Sequence, residues 1–294
     1  MSKIGIVTVL YNSESVLDEF FRTLDEQSFK DFTLYVIDNA SSDRSLAEAR
    51  RLAESVSFQC VFFAETQNWG VAKGNNIGIK AAMADGCEYV LLSNNDIVLR
   101  PDTIQRLFDS MAAMHADMAV PKIYYHDSGL IWCAGGKFTY FRGGTVHFGL
   151  MKRDDGRYDR CRYVEYAPTC FMLIKREVFE EVGLMDERYF VYYDDTDFVW
   201  RAVKQSSLKL AYIPSSTLRH KESACTGNVG SDFKVRYLGR NSRYFALKNY
   251  TGIRKALTIL YSDLHTLLIK PFTHTHHQLK VHKEATTEGK RMIR

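Results

Sequence analysis

The sequence predicts an α/β fold: a mostly parallel central sheet flanked by helices, followed by a C-terminal helical extension. Three observations lead there. Through the first 120 residues, short apolar β-branched runs alternate with amphipathic helical runs, as βαβ units do. Several of those strand-like runs stop abruptly in polar clusters, as expected where ligands collect beyond the carboxyl ends of parallel strands. The 46% hydrophobic and 25% charged residues are ordinary for a globular protein, and 294 residues suffice for one large domain or two smaller ones.

Lys3 to Leu10 reads as a doubly buried strand. Tyr11-Asn12-Ser13-Glu14 turns into an amphipathic helix with Leu17, Phe20, Phe21 and Leu24 at helical spacing. Phe32 to Ile37 is a second strand, ending in the turn formers and caps of residues 38–43 before a helix from about Leu46 to Ser55. Cys60 to Ala64 is a short third strand and residues 71–84 a third helix. Tyr89 to Ser93 is a buried strand broken by Asn94-Asn95-Asp96, after which Ile97-Val98-Leu99 resumes the apolar run. Residues 104–114 form another amphipathic helix. After Pro121 the alternation lapses, and the glycine-rich, aromatic stretch 121–163 has the composition of loops and hairpins. Tyr166 to Ile174 returns to strand, Glu177 to Val182 is a short helix, and Lys209 to Ile213 is a further strand followed by Pro214 and then His220. Residues 221–233 resemble a mobile lid. In residues 253–272, Ile253, Leu257, Leu260, Leu264, Leu267 and Leu268 recur at helical spacing.

Three strand ends, Tyr11-Asn12, Asp38-Asn39 and Asn94-Asn95-Asp96, share one edge of a parallel sheet, where a nucleotide can bind. Asp38 can accept from a base N–H or a ribose hydroxyl, or it can cap the next helix. The small residues of Asn68-Trp69-Gly70-Val71-Ala72-Lys73-Gly74 allow close backbone approach to a ligand, with Lys73 offering a charge for phosphate. An Asn-Asn-Asp corner offers oxygens to a hard divalent cation, or simply makes a turn. In Asp194-Asp195-Thr196-Asp197, crowded like charges raise a carboxyl pKa, which suits a general base; an acidic helix start is the plain alternative. His220 matters if Asp96 is near, because imidazole plus carboxylate suits Mn²⁺ better than calcium.

Charge divides the chain unevenly. Residues 234–294 carry thirteen Lys/Arg against three Asp/Glu, leaving 26 against 32 in residues 1–233. A basic tail on an acidic body suggests an anionic surface for the tail, and the body lacks the basic face of a nucleic-acid binder. A basic amphipathic helix over 253–272 can lie on an anionic leaflet, or pack on the body ahead of a disordered basic end. Six scattered cysteines without a C-x-x-C pair fit reduced thiols in the cytoplasm and argue against structural zinc. No basic-then-apolar leader opens the chain, so no signal peptide is expected.

Taken in order, V-T-V-L-Y-N (7–12), D-N-A-S-S-D (38–43), N-W-G-V-A-K-G-N-N (68–76), L-S-N-N-D (92–96), Y-D-D-T-D (193–197) through Arg201, P-x-x-x-x-x-H (214–220) and R-N (240–241) resemble the family 2 glycosyltransferases of the GT-A fold. The likeness is greatest to bacterial members that include rhamnosyltransferases, and it runs from about Ile4 to Asn249. It implies an inverting, metal-dependent transferase, with dTDP-rhamnose or a UDP-sugar as donor and a glycan or lipid-linked saccharide as acceptor. The setting is cell-surface polysaccharide synthesis, in the cytoplasm or on the inner face of the membrane. Residues 1–120 would be the nucleotide-sugar half, 121–235 the acceptor and catalytic half, and 236–294 the basic extension. By the same resemblance, Asp38 contacts the base, Thr8 and Tyr11 line its pocket, and Asn68 and Lys73 lie near the sugar nucleotide. Asp96, with Asn94 beside it, occupies the D-x-D position, and His220 joins it on Mn²⁺ or Mg²⁺. The family's Glu-Asp-x-Asp pattern maps the base to Asp195, with Asp194 or Asp197 competing. The 133–160 region and Thr169 face the acceptor, and Lys/Arg within 221–243 face the departing diphosphate. A sugar-phosphate nucleotidyltransferase would show G-G-x-G-T-R-L near its start, where this chain has VTVLYN; a non-catalytic relative that binds sugar nucleotides or glycans would be expected to lose the acidic cluster.

Overall fold

The computed structural model describes residues 2–221 and 231–293. The chain begins with β1 (Ile4–Leu10), α1 (Glu14–Asp25), β2 (Phe32–Asp38), α2 (Ser45–Ala53), β3 (Gln59–Ala64), α3 (Val71–Ala84) and β4 (Tyr89–Ser93). These strands pair in parallel in the order β4-β1-β2-β3, so Leu10, Asp38 and Ser93 end at one edge. The apolar runs form doubly buried strands because helices cover both faces: every residue of β2 is buried. On one face α1 contributes Leu17, Phe20, Phe21 and Leu24 to a core with Ile6 and Leu34. On the other, α3 lies close to β1 because it has glycines at the contact. A Cβ on Gly74 would stand 2.8 Å from Val9 Cγ1, and one on Gly78 would stand 2.4 Å from Val7 Cγ1. Gly74 and the fully buried Ala72 thus serve helix–sheet packing, where the sequence suggested ligand approach.

Then follow β5 (Ile97–Leu99), α4 (Thr103–Ala113), β6 (Met118–Tyr125), β7 (Ile131–Cys133), β8 (Gly136–Phe138), β9 (Thr145–His147), β10 (Arg162–Val164), β11 (Phe171–Lys175), α5 (Arg176–Val182), α6 (Asp194–Trp200) and β12 (Leu210–His220). They extend the same sheet to β10-β12-β6-β11-β4, with β11 antiparallel to both neighbours, and β5 and β7 paired to β12 and β6. Strands β8 and β9 form a separate hairpin.

Two prolines sit inside strands here. Strand β6 runs through Pro121 to Tyr125, after which the strand–helix alternation lapses as expected, β7 to β11 following with no helix before α5; β12 likewise runs through Pro214 to His220. Both are tolerated at one irregularity: Pro121 pairs with Ile213, the next pair is Lys122 with Thr217, and the bulge between them relieves the ladder of the missing N–H groups. Strand β6 also crosses the expected boundary at residue 120, so both halves share one sheet. The expected strand from Tyr166 is regular only from Phe171, because Tyr166 makes a single bridge to Gly136.

Beyond the sheet come α7 (Ser231–Asn249), α8 (Gly252–Leu268), α9 (Lys270–Thr273) and α10 (His276–Arg291). Helix α7 spans the expected boundary at 235. The basic end is ordered: Thr275 opens α10 with a capping box to Gln278, and a Cβ on Gly289 would meet Arg240 O of α7 at 2.2 Å. No helix among the described residues is long and apolar enough to cross a membrane.

Candidate active site

A cavity of about 370 Å³ opens at the carboxyl edge of β1, β2 and β4. Its wall includes Tyr11, Asn39, Asn68, Asn94, Asp96 and His220. Asn39, one of the expected strand-end residues, and Lys234, one of the cations expected near the diphosphate, also line it, together with Phe190 and Tyr192, to which sequence reasoning gave no site role. The strand-end rule was the signal for Asn39, one residue past β2. Lys234 was marked only as one cation of the 221–243 run, and its helix returns from far along the chain.

Asn39 organises the donor side. Its Nδ2 donates to Asn68 Oδ1 (3.1 Å) and Gly70 O (3.0 Å), while its Oδ1 accepts from Trp69 N (3.1 Å). Gly70 has φ +84°, and a Cβ there would lie 2.4 Å from Phe190 O, so only glycine lets the two loops meet. Asp38 is buried behind this rim. Its Oδ2 accepts a long hydrogen bond from Ser41 N (3.4 Å), and its Oδ1 has no partner among the described residues. Thr8 is also behind the wall, 3.5 Å from Asn95 Nδ2, and Asn95 ties the β4 turn to Val9 O (2.8 Å). Lys73 does not line the cavity: its Nζ sits 3.3 Å from the centroid of the Trp69 ring.

Asn94, Asp96 and His220 meet because β5 pairs antiparallel with the end of β12, placing His220 opposite Ile97. His220 Nε2 lies 3.1 Å from Asp96 Oδ1 and 3.4 Å from Asn94 Nδ2. Burial pushes the Asp96 carboxyl up, but His220 and Asn94 outweigh it and hold it below the usual carboxylate range. One carboxylate, one imidazole and an amide suit a divalent ion that takes its other ligands from a diphosphate and water. Among the described residues no three His, Cys, Asp or Glu side chains group to hold a metal unaided.

The acidic cluster divides into three environments. Asp197 is fully buried and saturated: Arg201 Nε (2.9 Å), Lys248 Nζ (2.8 Å), Asn249 Nδ2 (2.8 Å) and Tyr189 Oη (3.1 Å) all point at it. Asp194 is buried beside Asp195, and burial first, then that neighbouring charge, pushes its carboxyl up to about 8. Asp195 is half-buried. Its Oδ2 accepts from Tyr166 Oη (2.6 Å), and its Oδ1 from Thr196 N (2.6 Å) and Thr196 Oγ1 (3.1 Å). The buried Cys170 thiol is pushed up chiefly by burial. Cys170 follows Thr169, which lines the cavity.

The loop before this cluster is strained, with positive φ at Phe190, Tyr192 and Tyr193. Arg240 and Asn241 hold it. Arg240 Nη2 donates to Arg188 O and Tyr189 O, and Asn241 Nδ2 reaches the carbonyls of Tyr189, Val191 and Tyr192 at 2.7–2.9 Å. Of the other cations expected on the diphosphate, Lys221 pairs with Glu19, Arg236 and Arg240 with Glu288, and Arg243 with Asp263. Most of the expected lid, residues 222–230, lies outside the described residues.

The model for "Glycosyl transferase family 2" matches residues 5–183. The dTDP-rhamnosyl transferase RfbF of Shigella flexneri is 26% identical over 317 aligned residues, covering 99% of this chain and 97% of its own. The N-acetylglucosaminyl-diphospho-decaprenol L-rhamnosyltransferase of Mycobacterium tuberculosis is 23% identical, over 76% of this chain and 77% of its own. The mannosyltransferase PcManGT of Pyrobaculum calidifontis, solved with GDP-Man and Mn²⁺, superposes with TM-score 0.60 at 16% identity, over 97% of this chain and 74% of that one. The fold and the family match agree: this chain is a glycosyltransferase of the GT-A fold and belongs to glycosyl transferase family 2.

Proposed function

We propose that this glycosyltransferase moves a sugar from a nucleotide-sugar donor to a hydroxyl of a glycan or lipid-linked saccharide, inverting the anomeric centre, in cell-surface polysaccharide synthesis. dTDP-rhamnose is the first choice of donor and a UDP-hexose the second. The observation that carries the reading is the meeting of Asp96 and His220, 124 residues apart in sequence, on the cavity wall at the strand edge. Two rhamnosyltransferases among the relatives favour the rhamnose donor.

In this reading Asp38, whose Oδ1 has no partner among the described residues, accepts from the base, Tyr11 lines the base pocket with Thr8 behind its wall, and Asn68 stands by the ribose. Asp96 and His220, with Asn94 beside them, hold Mn²⁺ or Mg²⁺, which when bound neutralises charge on the diphosphate. Lys234 is the cation placed to assist; Lys73 would have to leave the Trp69 face to do so. Asp195 takes the acceptor proton as the hydroxyl oxygen attacks the anomeric carbon and the diphosphate departs. Tyr166 and Thr196 hold that carboxylate in one orientation, and binding both substrates side by side supplies much of the rate. The C-terminal segment makes a peripheral contact with anionic membrane, where a lipid-linked acceptor is found.

The test is a thermal-shift series with dTDP, UDP and GDP, each with and without Mn²⁺ or Mg²⁺. A ligand at about 100 times its Kd adds about 2.7 kcal/mol to the native state. One nucleotide is expected to raise Tm in a metal-dependent way, and Asp96→Asn or His220→Ala to remove the metal dependence. Silence from all three nucleotides at about 1 mM would overturn the donor site and leave the non-catalytic reading.

A further inference from the structure

Helix α8 is built inside out. A helix on a soluble domain turns its apolar stripe to the core and its polar face to water. Here Leu260, Leu264, Leu267 and Leu268 are 45–68% exposed, Ile253 is 71% exposed, and Phe272 just beyond the helix is 88% exposed. The polar residues face the body instead. Arg254 lies over Tyr140, Trp200 and Tyr250 with ring-centroid distances of 5.0, 4.6 and 4.1 Å, and donates to Thr139 O. Thr258 is buried, Ser262 accepts from Arg243, and Thr266 Oγ1 lies 3.1 Å from His282 Nε2. A sequence whose polar side is spent on packing is stable in this orientation only if something apolar covers the other side.

The surroundings select the cover. The β8–β9 hairpin tip, with exposed Tyr140 and Phe141, adjoins the N-terminal half of α8: a Cβ on Gly143 would meet Thr258 Cγ2 at 2.9 Å. At the other end, Leu267 shares a groove of about 430 Å³ with Lys283 and Lys290 of α10. Lys280 and Arg291 are also exposed on α10. Apolar stripe, aromatic tip and lysines together match an interfacial surface. A second copy fits poorly on two counts. The stripe is about 25 Å by about 10 Å, roughly a third of the ~800 Å² each partner gives a stable dimer. Two tails with this excess of Lys/Arg also repel each other, whereas an anionic leaflet attracts them.

We infer that the exposed face of α8, with the Tyr140–Phe141 hairpin tip and the Lys283–Lys290 groove, is a docking surface for an anionic phospholipid leaflet. The stripe enters the headgroup–acyl boundary, and Lys283 and Lys290 meet headgroup phosphates. The inference deepens the membrane contact proposed above and rests on that reading.

Flotation of the full chain tests it, using phosphatidylcholine vesicles with about one-third phosphatidylglycerol against pure phosphatidylcholine. Wild type is expected to float with the anionic vesicles and to lose at least about tenfold of that binding in high salt. Leu260→Glu/Leu264→Glu and, separately, Lys283→Glu/Lys290→Glu are each expected to reduce it at least about tenfold, with Tm and the nucleotide-induced shift unchanged. Wild type that stays unbound, or double variants that bind as wild type does, overturns the inference. So does a dimer that Leu260→Glu/Leu264→Glu splits while vesicles are ignored, which makes the occupant a second copy. Vesicle binding with no nucleotide shift leaves the surface standing and removes the proposed donor site; the converse removes only the surface.

Discussion

Asp194, Asp195 and Asp197 sit within four positions of one another and have different work because their partners differ. Asp195 offers a half-buried carboxylate oriented by Tyr166 and Thr196. Removing its charge in Asp195→Asn is expected to cut kcat about 10³-fold with nucleotide binding intact, measured by sugar transfer and thermal shift side by side. Asp194→Asn mimics the protonated form favoured by burial and retains activity within about tenfold. Its pH behaviour has a definite sign. A carboxyl raised to about 8 stabilises the fold fully below its unfolded pKa near 3.8, and that contribution is lost as pH rises towards 8. Between about pH 5 and pH 8, Tm of wild type should therefore fall more steeply with rising pH than that of Asp194→Asn. Asp197 belongs to the fold: Asp197→Ala leaves Arg201 without its carboxylate beside a buried gap, while Lys248 keeps Asp186, and is expected to cost about 3–5 kcal/mol in denaturant unfolding.

At the scale of elements, two arrangements build the site. The first is β12, whose bulge after Ile213 carries Pro214 past Pro121 and lets the strand continue to His220 opposite β5. The second is the strained Phe190–Tyr193 loop, whose carbonyls converge on Asn241 of α7. Asn241→Ala removes the side-chain donor to the carbonyls of Val191 and Tyr192, while Tyr189 O keeps Arg240. The expected loss is about 1–3 kcal/mol of stability, with a larger proportional rise in donor KM than fall in kcat, read from unfolding and steady-state kinetics together. The motif R-N was visible in the sequence, but its role was not, because the carbonyls it holds lie some fifty residues earlier. The first four parallel strands and their helices were legible for the opposite reason. Their apolar spacing is local, and residues 71–84 form α3 as the periodicity predicts.

Across the whole molecule, Arg254 links the extension to the β8–β9 connection and to α6, stacked among Tyr140, Trp200 and Tyr250. Arg254→Ala should destabilise by about 1–3 kcal/mol and speed proteolysis within residues 251–275, while the nucleotide shift is unchanged. What the sequence by itself determined is the α/β class, the strand edge where the polar clusters gather, the acidic cluster and the charge asymmetry of the tail. Each follows from residues close together along the chain, where spacing and composition act directly. Only the tertiary structure decided that Asp96 meets His220, that Asp197 is saturated by Lys248 and Asn249, and that Lys73 lies on Trp69. The spacing of Leu260, Leu264 and Leu268 announced an amphipathic helix but not which side faces outward. That depends on partners such as Trp200, Arg243 and His282, and long-range packing chooses among faces that local periodicity leaves equivalent.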